Sequence, residues 1–363
     1  MSNLFKNIAI GLLACFVFPV FAQENRQGEE ASPEKELDVR AFILDHIADS
    51  YEWHLVTIKG EHVSIPLPII VKGENSGWHF FLSSALHSGH EHEGFYVAPE
   101  GKYKGKIVEK NTSGEEIRPL DLSITKNAAS LLMSSTLLIW LIMSVVRWYK
   151  KRQDPENFEA PRGFPGFIEM VVVSLNDDLI KPCIGKDSAR FAPYLLTVFF
   201  FIILNNLLGL IPLFPGGANV TGNIAVTLVL ALTTFIVVNS FGTKEYWKEI
   251  FWPDVPMWLK VPIPIMPALE IVGMFTKPFA LMIRLFANIL AGHSIVLGLV
   301  CLIFVTVKLG PVINGSMTAV SVIMTIFIDC VEILVAYIQA YVFTMLSAVF
   351  IGLARVEPHH HKG

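Results

Sequence analysis

Charge is scarce in this chain. Of its 363 residues only 17% are Asp, Glu, Lys or Arg, against about 25% in a soluble globular domain, and 53% are hydrophobic. That balance points to a membrane protein. The net charge is −4 and no basic stripe stands apart from the flanks of hydrophobic runs, so no nucleic-acid partner is expected. Cysteine is sparse too: Cys15, Cys183, Cys301 and Cys330 are scattered without a CxxC pair, which excludes a disulfide framework and a cysteine zinc site. No GxxxxGK[ST] phosphate loop occurs, so the chain is not expected to hydrolyse nucleotide or to be an enzyme by itself. There is no internal repeat, and no cofactor is implied.

What is present begins with residues 1–22, which read as an export signal. Lys6 supplies the positive start, residues 8–18 the apolar run, and Val20-Phe21-Ala22 a small-residue cleavage site. Leu12-Leu13-Ala14-Cys15 offers a lipoprotein-type alternative and an uncleaved anchor is a third, and all three put the following residues outside the cytoplasm. Residues 23–127 are polar and rich in loops. A helix over residues 37–55 and short strands over 65–71, 79–82 and 106–108 fit their patterning. His79, His87, His90 and His92 have a spacing that suits Zn²⁺ or Cu²⁺, but without a visible scaffold a solvated loop is the preferred reading and no metal is expected.

Residues 128–354 form the membrane part. Apolar runs over 128–146, 191–212, 220–241, 266–309 and 317–353 predict five crossings. Arg147-Trp148-Tyr149-Lys150-Lys151-Arg152 closes the first with an aromatic belt and a positive cluster, which places the N-terminus outside and the tail, residues 355–363, in the cytoplasm. Residues 167–180 have a one-sided apolar pattern that suits a helix on the membrane surface. The last two runs exceed the roughly 30 Å of bilayer hydrocarbon, so they must tilt, break or lie partly in the membrane plane. Lys277-Pro278 is the expected break, and Gly310-Pro311 with Asn314-Gly315 separates the two. The fold class is therefore an all-α integral membrane protein with five crossings, two long tilted C-terminal helices and a small extracytoplasmic N-terminal region.

Inside those last runs stand Glu270, Arg284, His293, Asp329 and Glu332, with Asn288 and Gln339 adding neutral polarity. An arginine in hydrocarbon costs between about 2.5 and 17 kcal/mol, and it cannot shed its proton. At helical spacing Arg284 and Asn288 share a face, as do Glu332 and Gln339, and His293 falls opposite Arg284. Glu270 near a membrane edge also suits a snorkelling role, and Asp329 is preferred as a packing group. Together the set reads as an ion path. A proton-coupled transporter of an anionic substrate is the alternative, though five crossings divide poorly into repeats. A metal sensor with a membrane anchor would not need five spans.

Several spaced motifs carry a resemblance. Thr276-Lys277-Pro278, Arg284-Leu285-Phe286-Ala287-Asn288 and Ala291-Gly292-His293 follow one signature, with Ala287 where glycine is common. Asn206-Leu207-Leu208-Gly209-Leu210-Ile211-Pro212, then Asn219 and Thr227, and finally Gln339-Ala340-Tyr341-Val342-Phe343, continue it in order. The chain resembles subunit a of the F-type ATP synthase membrane sector. The resemblance implies a stator subunit of a bacterial inner membrane, with partners in the ring of c subunits and the subunit b stalk. Arg284 would face the ring carboxylates, Asn288 and Gln339 would flank it, and Glu270, His293 and Glu332 would line an aqueous route for protons, with Na⁺ less favoured. Some members exchange the acid and the histidine at the positions of His293 and Glu332, which implies that these two lie close. The resemblance assigns no role to residues 23–127.

Overall fold

The computed structural model describes residues 49–58, 61–73, 77–99, 101–110, 115–151, 161–211, 217–252 and 265–355. The expected signal, most of the expected helix over residues 37–55 and the C-terminal tail beyond Arg355 lie outside them. The chain divides into two units, residues 1–133 with 208–220 and residues 134–207 with 221–363.

The first unit is built on strands: β1 (Glu52–Ile58), β2 (Glu61–Pro66), β3 (Pro68–Gly73), β4 (Gly77–Leu82), β5 (Phe95–Val97), β6 (Ile107–Lys110), β7 (Glu116–Ile117) and β8 (Leu120–Asp121). They pair antiparallel as β1-β2, β4-β3-β8 and β5-β6-β7. Residues 52–55, expected to end a helix, lie in a strand instead: Glu52, Trp53 and His54 pair with Pro66, Ile65 and Ser64 of β2, and the register shifts between His54 and Val56. The expected strand over 65–71 is split at Leu67 between β2 and β3, that over 79–82 lies in β4, and that over 106–108 overlaps β6 from Ile107. Tyr51, Ile69, Val71, Leu86, Phe95 and Ile107 form the core of this unit. Glu93 (φ 51°) and Gly94 (φ 84°) make a two-residue turn that lets His92 and Phe95 exchange backbone hydrogen bonds of 2.9 Å. Two successive positive φ angles match a type I′ hairpin.

The helices are α1 (Lys126–Lys150), α2 (Phe164–Ser174), a π-helical turn (Leu175–Ile180), α3 (Lys181–Ile184), α4 (Ser188–Leu210), α5 (Ile224–Ser240), α6 (Lys244–Phe251), α7 (Ile265–Thr306) and α8 (Pro311–Ala354). Four described helical stretches are long and apolar enough to cross a membrane, and α5 with α6, bent by 103°, makes a fifth if counted as one span. The multi-span reading therefore holds, with α5 the shortest at 17 residues.

Two expected breaks are absent. α7 runs unbroken for 42 residues through Pro278, which forfeits only its own backbone bond. α8 starts at Pro311 and takes in Asn314 and Gly315, because Gly310 (φ 98°) makes the whole reversal. Proline at the first helical position is preorganised for that start. Asn314 then accepts a hydrogen bond from Thr306 Oγ1 at 3.0 Å, tying the two helices across the turn.

The second unit's core lies between α3, α4, α7 and α8, with Leu179, Ile180, Leu195, Phe199, Leu285 and Phe343 at or below 2% exposure. Polar side chains bridge the helices where lipid would leave them unsatisfied. Ser134 Oγ donates to Asn205 Oδ1 (2.8 Å), Thr221 Oγ1 to Asn206 Oδ1 (2.7 Å), and Asn206 Nδ2 to the Ala336 carbonyl (3.3 Å). Gly352 lets α8 approach the Cys183 carbonyl so closely that a Cβ there would overlap it. Arg355 Nε donates to Asp187 Oδ2 at 2.7 Å and fixes the end of α8.

Candidate functional site

The polar residues of the last two helices sort along α7. Leu281 and Leu285, 2% and 0% exposed, turn one side of α7 into the core. That anchoring leaves Arg284, between them in sequence, on the exposed surface of the helix. Among the described residues Arg284 has no ion pair and no hydrogen bond. One turn on, Asn288 Nδ2 donates to Gln339 Oε1 at 2.8 Å. Gln339 is 3% exposed on α8, so this bond satisfies a buried amide and sets α7 against α8 beside the arginine.

A second junction lies at Gly292. A Cβ at this position would overlap Glu332 Oε1, so the absence of a side chain is what admits the carboxyl group of α8. Glu332 Oε1 is buried without a hydrogen-bond partner. His293, half-buried, is the next residue of α7, so the structure brings Glu332 to the turn that carries His293. Asp329 is half-buried one turn earlier on α8.

Not everything converges. Glu270 sits near the start of α7, 14 residues before Arg284, or about 21 Å along a continuous helix. It is set apart from both junctions. Arg284 and His293, nine residues apart, lie about 13 Å apart along the axis. What results is a fixed cation on an exposed helix face, an amide pair beside it, and a histidine and a carboxyl group about two turns further along. Such a set can attract an anionic group and pass a proton; it holds no nucleophile with a base and no nucleotide cradle.

The importance of Gly292 escaped the sequence reading, although the residue stands within a quoted motif. A helical glycine between two small or polar neighbours was the available signal. Asn206 was seen as part of a motif, but its double duty toward Thr221 and Ala336 depends on contacts 15 and 130 residues away. Among the described residues no group of three metal-ligating side chains exists. His79 Nδ1 instead pairs with Glu93, and its ring packs on Phe95. His92 packs edge-on to Phe81, and His90 is exposed.

These features define a multi-span α-helical membrane protein with a set of polar and ionisable groups carried on its last two helices. The ATP synthase A chain family matches residues 130–352. The chain belongs to that family. A domain of unknown function (DUF8433) matches residues 42–127. The chain is similar to ATP synthase subunit a 2 of Chlorobaculum tepidum, 42% identical over 257 residues, which are 68% of each chain. It is similar to ATP synthase subunit a of Myxococcus xanthus, 42% identical over 265 residues, 68% of this chain and 80% of that one. With ATP synthase subunit a of an Anaeromyxobacter species it shares 34% identity over 354 residues, 93% of this chain and 75% of that relative.

Proposed function

We propose that this chain is the stator subunit a of an F-type ATP synthase, carrying protons to and from a rotating ring of c subunits through two offset half-channels. The observation that carries the proposal is Arg284: exposed on a membrane helix, without an ion pair or hydrogen bond among the described residues. A guanidinium left in hydrocarbon without a counter-charge is expensive. A carboxylate arriving on another subunit relieves that cost. The cation in turn favours the ionised form of the carboxylate, so the proton leaves as the site arrives and cannot pass directly between the half-channels. Asn288 and Gln339 flank this position, and His293 and Glu332 line the aqueous route, with Glu270 nearer one end of α7. One charge crossing 100 mV supplies about 2.3 kcal/mol, so several protons must be combined for each costly synthetic step.

A transporter reading needs Arg284 to face an internal substrate cavity, and its outward exposure disfavours that. The same proposal places the chain in the bacterial inner membrane, N-terminus periplasmic and C-terminus cytoplasmic, with subunit b as a further partner. It assigns residues 1–22 to a signal, 23–127 to the periplasm, 128–354 to proton translocation and 355–363 to a tail. The test is Arg284→Ala in the assembled complex. ATP-driven proton pumping into inverted vesicles is expected to vanish while the subunits still co-purify, and normal pumping would overturn the proposal.

A further inference from the structure

The sheet β4-β3-β8 breaks the usual rule for a one-sided antiparallel sheet, in which apolar side chains face inward and polar ones outward. Its inner face carries Ile69 and Val71, 1% and 0% exposed. The register pairs Ile70 with Phe80, Lys72 with Trp78 and Lys72 with Leu120, so these residues stand together on the opposite face. That face is just as apolar. Trp78 is 49% exposed, Phe80 71%, Leu82 51%, Leu120 56% and Leu122 59%. Exposed apolar clusters of this kind mark contact surfaces.

What covers the face is indicated by where the chain goes next. Leu122 lies four residues before Lys126, the first residue of α1, so it stands within about 14 Å of the point where the span begins. The connection is clamped. Leu122 N donates to the Ile70 carbonyl (2.9 Å), Ile124 N to the Pro68 carbonyl (3.1 Å), and Lys126 N to the Ser50 carbonyl (2.8 Å). Asn127 N, in the first turn of α1, donates to Asp49 Oδ1 at 3.1 Å. The apolar face is therefore held beside the start of a helix whose own surface faces lipid. Its chemistry matches that depth: the Lys72 ammonium lies 5.8 Å above the Trp78 ring, and tryptophan and lysine are the residues that settle at headgroup level.

The geometry points to a membrane-contact surface: the outer face of β4-β3-β8 rests in the boundary between headgroups and acyl chains on the side where α1 enters the bilayer. The inference rests on reading α1 as a span. Phe80, Leu82 and Leu122 enter the acyl boundary, and Lys72 meets lipid phosphate. This orders the first unit against the bilayer without any protein partner.

The test uses the unmodified chain in phosphatidylethanolamine and phosphatidylglycerol vesicles doped with a phospholipid bearing a diazirine high on one acyl chain. After irradiation and proteolysis, adducts are expected on residues 77–82 and 120–122 as well as on α1. Adducts on α1 alone would overturn the surface and leave the span intact; adducts on neither would overturn the span as well. A second arm places a spin label at Phe80→Cys in a chain freed of its native cysteines, with Lys102→Cys as the exposed control. Phe80→Cys is expected to collide with dissolved oxygen and to be shielded from an aqueous nickel chelate. Free access to both relaxants means open water, and shielding from both means cover by protein. Either result overturns the inference.

Discussion

Gly292 and Tyr51 illustrate how single positions govern the two units. At Gly292 the Glu332 carboxyl group occupies the space a side chain would take. Gly292→Ala must displace Glu332 or part the helices, and inserting one carbon into a packed site costs about 1–3 kcal/mol. Proton pumping by the assembled complex is expected to fall severalfold. Adding Glu332→Asp, one methylene shorter, is expected to recover part of it; undiminished pumping in Gly292→Ala would show that Glu332 is not seated there. Tyr51 donates to Asp121 Oδ2 at 2.5 Å, and burial, reinforced by this hydrogen bond, pushes its pKa well above the usual tyrosine value. A group whose folded pKa is raised contributes stability below its unfolded pKa, about 10, and that contribution is lost as pH rises through the higher folded value. The alkaline absorbance titration of the intact chain is therefore expected to contain a late tyrosine component that Tyr51→Phe diminishes by one residue. At neutral pH the same change is expected to weaken the unit by about 0.5–1.5 kcal/mol.

At the scale of elements, α7 and α8 are set against each other by contacts of very different kinds. Gly310 reverses the chain, Thr306 and Asn314 bond across the turn, and Asn288 with Gln339 fixes the middle. Gln339 is the buried member, so Asn288→Ala leaves its amide oxygen without a partner at a cost of about 1–3 kcal/mol, whereas replacing both residues by alanine is expected to cost less than the sum of the single changes. Thermal unfolding of the four proteins in detergent measures this, and strict additivity would mean that the bond contributes nothing. The helix pair itself was legible in the sequence, because hydrophobic runs of this length have few other uses. The resemblance set both Asn288 and Gln339 beside Arg284, but their bond to each other was not legible in the sequence. The absent breaks at Pro278 and Asn314 misled for a physical reason: proline loses one backbone hydrogen bond and glycine costs backbone entropy, yet packing along α5, α7 and α8 outweighs either. The first unit was read least well. Its strands are short, and the pairing that defines them joins residues as far apart as Val71 and Asp121.

For the molecule as a whole, the informative fact is the separation of its membrane cation from its membrane acids. Arg284 finds no counter-charge among the described residues, while Glu332 packs against Gly292, the neighbour of His293, on a turn of α7 about 13 Å further along the axis. Under the proposed function these two places serve separate ends: the cation meets a carboxylate of another subunit, and the histidine and carboxyl group serve passage of the proton within this one. If the pair acts as a unit, what matters is that a histidine and a carboxyl group face one another, not which helix carries which. His293→Glu and Glu332→His singly place two acids or two histidines together, and like charges so close cannot both be maintained. Each single change is expected to reduce ATP-driven pumping by more than tenfold, corresponding to at least about 1.4 kcal/mol of barrier. The double exchange restores the opposite-charge arrangement and is expected to pump faster than either single variant, although Gly292 then admits an imidazole in place of a carboxyl group and recovery stays partial. A double exchange worse than both singles would show that the two residues act independently. The charge of Arg284 would then remain the only element of the path tied to the ring.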